Sequence, residues 1–77
     1  MNGNIADVLI HIEPSLAADE RRALEDGLRH VDGVIAPRFG EQTPHLLLVA
    51  YDPGRTDAAS LLGYVGDRGH AARLVGM

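Results

Sequence analysis

Four histidines (His11, His30, His45 and His70) and eleven acidic residues are the side chains of this 77-residue chain that could hold a metal or move a proton. Cysteine is absent. That removes disulfides, thiolate metal sites, iron–sulfur clusters and cysteine nucleophiles. Imidazole with carboxylate suits Zn(II), Ni(II) or Cu(II), whereas Cu(I) prefers soft sulfur ligands. No His-x-His or His-x-x-x-His spacing places two imidazoles on one face of a strand or helix. Ser15 and Ser60 lack the Gly-x-Ser-x-Gly surroundings of a nucleophile elbow. Asp19, Glu20, Glu25 and Asp26 alternate with arginines, as on a solvated helical face. Gly63, Gly66 and Gly69 match neither a Rossmann nor a Walker phosphate loop. The residues read as those of a non-enzymatic chain.

The formal charge of −4 argues against nucleic-acid binding, which needs a basic face. All seven basic residues are arginine, which reads as the codon bias of a GC-rich bacterial genome. The leading MNGNIADV has no charged n-region and apolar run, so no signal peptide is expected. No apolar run approaches the roughly 20 residues of a membrane span. A soluble cytoplasmic protein forming one small domain over residues 1–77 is expected. A domain of this size should be stable by about 3–5 kcal/mol unless a partner adds to it.

Hydropathy patterning supplies the elements that must position these groups. ADVLIHIE (6–13) alternates, with Val8, Ile10 and Ile12 on one face and Asp7, Leu9, His11 and Glu13 on the other. Pro14 and Ser15 should end that strand, with Ser15 as helix N-cap. Leu16, Ala17, Leu24, Leu28 and Val31 recur at helical spacing. Gly27 weakens this helix unless close packing requires it. Asp32-Gly33 should close it, with Gly33 left-handed and His30 favourable to the helix dipole. VIAPRF (34–39) reads as a strand that Pro37 confines to a sheet edge. HLLLVAY (45–51) is the strongest strand signal, stopped by Asp52-Pro53-Gly54. Thr56 should cap a second helix carrying Ala58, Leu61, Leu62 and Val65. Gly69 should end it, and AARLV (71–75) makes a last strand.

The order βαββαβ predicts an α+β, ferredoxin-like sandwich. Two right-handed crossovers place both helices on one face of a four-stranded antiparallel sheet, with the first and third strands central. The chain resembles the heavy-metal-associated domains of copper chaperones and metal-transporting P-type ATPases. HVDGV (30–34), LLLVAYDP (46–53) and DRGHAARLV (67–75) carry the likeness, which spans about residues 6–75. They match the family's Gly-Val after the first helix, its aromatic-Asp pair ending a strand, and its Gly-aromatic pair before the last strand. The resemblance places the family's two cysteines at Ala17 and Glu20, and its Gly-Met at Pro14-Ser15. His70 stands where Tyr or Phe is common. Alanine cannot ligate and a carboxylate is hard, so thiolate transfer of Cu(I) does not carry over to this chain.

In this fold the first strand–helix turn, the central hairpin and the turn before the last strand share one end. Glu13, Asp19, Glu20, His45 and His70 all belong there, with His11 about two residues away along its strand. If the chain handles a metal, His70 and Glu20 are the expected ligands, with Glu13 and His45 next. The same histidines also read as surface or packing residues with no cofactor, and His11 and His45 could point to opposite sheet faces.

The sheet offers a second feature. Leu47, Val49 and Tyr51 should face the helices. Leu46, Leu48, Ala50 and Leu9 then lie on the uncovered face, flanked by His11, Arg38 and Arg73. Apolar side chains there suggest an interface at Leu9, His11, Leu46 and Leu48, contacting another protein or a second copy as a homodimer. The leading expectation is a small interaction module with a degenerate metal site. Metal handling through His and carboxylates is the alternative, and a ligand-sensing module is a third class.

Overall fold

The computed structural model describes residues 4–13 and 15–75. Its elements are β1 (Ala6–Glu13), α1 (Ala18–Arg29), β2 (Val34–Phe39), β3 (Leu46–Tyr51), α2 (Ala58–Asp67) and β4 (Ala71–Leu74). The strands form one antiparallel sheet in the order β2-β3-β1-β4. This is the expected ferredoxin-like sandwich, with β1 and β3 central. The expected strand stop at Pro14 lies outside the described residues.

The period-two pattern sets the core. Ile10, Ile12, Leu47 and Val49 are fully buried or nearly so beneath Leu24 and Leu28 of α1 and Leu61 and Val65 of α2. Each fully buried aliphatic side chain of this kind contributes about 1.5–3 kcal/mol. Pro37 is buried within the edge strand β2, opposite Val49. The helix layer also bonds this edge: Phe39 N–H donates to the Glu25 carboxylate of α1 at 2.8 Å.

Both helices start one or two residues later than the sequence suggests. Ser15 is not the cap of α1. Ala17, with extended backbone, is the actual N-cap, and Leu16 just before it is buried in the core. Thr56 is not the cap of α2. Its N–H is taken by the Asp52 carbonyl within the preceding turn, and Asp57 accepts from Ser60 N–H at 2.7 Å instead. That hydrogen bond, with a further one from the Ser60 side chain, holds the Asp57 carboxyl below its ordinary value of 3.8.

At the other end of α1, His30 is the C-cap, its Nδ1 2.8 Å from the Asp26 carbonyl. Gly33 does have positive φ, +95°, but lies beyond the cap in the turn into β2. Gly69, at φ +88°, closes α2 as expected. Gly27 is explained by packing, because a Cβ there would collide with the Tyr64 hydroxyl of α2. Among the described residues no helix is long and apolar enough to cross a membrane.

Candidate functional site

The start of α1 lacks a side-chain acceptor at its N-cap, because Ala17 has none. Glu20, three residues on, supplies half of a capping box by folding its carboxylate back onto the Ala17 N–H at 3.1 Å. The two positions that the family resemblance assigns to thiols are therefore joined to each other as a helix cap. The arrangement is structural and places negative charge at the positive end of the helix dipole.

Glu20 also lines a shallow pocket of about 170 Å³ with Ala23, Leu24, Arg68 and His70. Arg68 donates to the Tyr64 hydroxyl, and its guanidinium carbon lies 4.7 Å from the Tyr64 ring centroid. The structure thus brings Glu20 and His70 to one pocket beside α1.

Glu13 and His45 lie elsewhere, with His11 on the uncovered face of the sheet. His11 is paired in register with Leu46 on β3 and Arg73 on β4. Its ring meets that of His45 edge-on, with centroids 5.2 Å apart and planes inclined at 68°. The His45 carbonyl accepts from Ile12 N–H at 2.9 Å, which ties the hairpin end to β1. Glu13 places Oε1 3.9 Å from His11 Nδ1. Strand alternation would send His45 inward with Leu47. His45 precedes β3, however, and belongs to the turn, so alternation does not govern it. Among the described residues no three His, Asp or Glu side chains form a group that could hold a metal ion.

Leu9 and Leu48 are directly paired at the centre of the same face, beside Leu46 and Ala50. Leu48 is 38% exposed, whereas its strand neighbours Leu47 and Val49 are fully buried. Arg38 is in register with Leu48, so the leucines run between Arg38 on one edge and Arg73 on the other.

No protein-family model matches the chain, and no curated protein matches it in sequence. Solved structures do match. Oxidized MerP from Ralstonia metallidurans CH34 is 15% identical, with a TM-score of 0.82 over 95% of this chain and 100% of that one. The N-terminal domain of a potential copper-translocating P-type ATPase from Bacillus subtilis, in its Cu(I)-loaded state, is 20% identical. It has a TM-score of 0.82 over 95% of this chain and 90% of that one. A protein described as the CopZ metallochaperone is 18% identical, with a TM-score of 0.75 over 91% and 100% of the two chains. The chain has the ferredoxin-like fold of heavy-metal-associated domains, and it has that fold without a single cysteine.

Proposed function

We propose that this chain is a non-enzymatic interaction module, built on a metal-chaperone scaffold, that acts through the uncovered face of its sheet. The observation that carries this is the paired Leu9 and Leu48 at the centre of that face, continuous with Leu46 and Ala50. Clustered apolar side chains on a solvent-facing sheet mark contact surfaces. The Ala17–Glu20 cap supports the same reading, because the loop end that offers thiols in the resembled family is here committed to holding the helix.

Leu48→Asp tests it. Desolvating a carboxylate in the middle of the contact costs more than its cross-strand neighbour Arg38 returns, so a complex made through this face should dissociate. The fold should survive, because the side chain is solvent-facing in the monomer. Sedimentation of both proteins, with circular dichroism as the folding control, reads the result. An unchanged sedimentation coefficient for an associated Leu48→Asp chain would contradict the reading.

Metal handling by His70 and Glu20 is a second reading, favoured by their shared pocket. Glu13 and His45 do not line that pocket. Calorimetry with Zn(II), Ni(II) and Cu(II) should then show a site that His70→Ala weakens. Binding should also weaken in acid, because protons compete with the metal for the imidazole nitrogen.

A further inference from the structure

We propose that the free edge of β4 takes up an extended segment of another protein as an added antiparallel strand. That segment carries an acidic residue opposite Arg73 and apolar residues opposite Ala72 and Leu74.

The two edges of the sheet differ in what their backbones offer. On β2, Gly40 N–H donates to the Leu46 carbonyl at 3.4 Å, so by alternation Arg38 turns its backbone groups toward β3. Pro37 and Phe39 then turn theirs outward. Pro37 has no N–H, and Phe39 N–H is held by Glu25 at 2.8 Å. That edge has no free donor at either position and refuses a further strand. On β4, Val75 N–H donates to the Leu9 carbonyl at 2.9 Å, so Arg73 likewise bonds toward β1. Ala72 and Leu74 turn their N–H and C=O away from the sheet. Nothing among the described residues takes those groups. Three of the four β4 residues are exposed, Leu74 by 39%.

Side chains select what pairs there. Arg73 stands between the two outward-bonding residues, at a place where opposed side chains of an added strand come closest. No carboxylate pairs with it among the described residues, since Glu13 stands 3.9 Å from His11 instead. The antiparallel self-pairing that engages both Ala72 and Leu74 would set Arg73 against its own counterpart, which like charge disfavours. An acid is matched at that place. Ala72 and Leu74 lie on the helix side, in register with Ile12 and Ile10, so apolar neighbours of the acid extend the core over the half-exposed Leu74.

The test uses a capped synthetic peptide, Val-Thr-Val-Glu-Val-Thr-Val, and its counterpart with lysine at the centre. Amide hydrogen exchange of the 15N-labelled chain is read by NMR. The glutamate peptide should protect the Ala72 and Leu74 amides saturably and leave β2 unchanged. The lysine peptide should bind about tenfold more weakly, and Arg73→Glu should reverse the order. Leu74→Pro removes one outward N–H and none of the bonds to β1, so it should lose binding and keep the circular dichroism of the fold. Leu48→Asp should bind the peptide as the wild type does, which separates this edge from the sheet-face reading. No protection at millimolar glutamate peptide would overturn the proposal. So would equal affinity for the two peptides, or binding that survives Leu74→Pro.

Discussion

Glu20 and Ala17 are joined through the first turn of α1, the Glu20 carboxylate accepting the Ala17 N–H at 3.1 Å. Half of the capping box is therefore in place and the other half is missing. Ala17→Ser would add a hydroxyl able to accept the Glu20 N–H, and should stabilise the chain by about 1 kcal/mol. Glu20→Ala should destabilise it by about 0.5 kcal/mol. Urea unfolding of the two variants measures both signs.

The same relationship bears on copper. With no thiol in the chain, Cu(I) should be surrendered completely to a Cu(I) chelator of the affinity range of a two-cysteine chaperone. A competition titration in which the chain retained copper would contradict this.

Much of the fold was legible because alternation and helical spacing act on buried surface. Val8, Ile10 and Ile12 could face only one way, and Leu47 and Val49 had to join them. Pro37 marked the edge strand because it has no N–H to donate. Helix starts were less legible, since Ser15 or Ala17, and Thr56 or Asp57, differ only in where the preceding turn releases the chain. The His11–His45 contact was not legible. It depends on a hairpin turn that carries His45 out of the alternation and on the Ile12–His45 backbone bond, neither of which has a local sequence signal. His70 beside Glu20 was legible, because the topology alone brings those two loop ends together.

Gly27 offers a test of helix–helix packing. An alanine there would gain up to about 1 kcal/mol of helix propensity. The Tyr64 hydroxyl occupies the space its Cβ needs. Gly27→Ala should therefore stabilise the chain less in the wild type than in a Tyr64→Phe background. Thermal unfolding of the four proteins of this double-mutant cycle gives the coupling.

The Asp57 cap should leave a pH signature. Its carboxyl is lowered from 3.8 by the Ser60 backbone N–H and then by the Ser60 side chain. A depressed folded-state value means the charge-dependent stabilisation is full above 3.8 and is lost as pH falls through the lower folded-state value. Asp57→Asn keeps a capping oxygen but cannot titrate. The wild type should exceed it in melting temperature near neutral pH, and the gap should close in acid below pH 3.8.

The contact face can be mapped directly by recording amide spectra of the 15N-labelled chain over a concentration series. The account predicts concentration-dependent shifts at Leu9, His11, Leu46 and Leu48, with the exposed α1 residues Arg22, Asp26 and Arg29 unchanged. Shifts confined to α1, or spectra identical at every concentration, would contradict it.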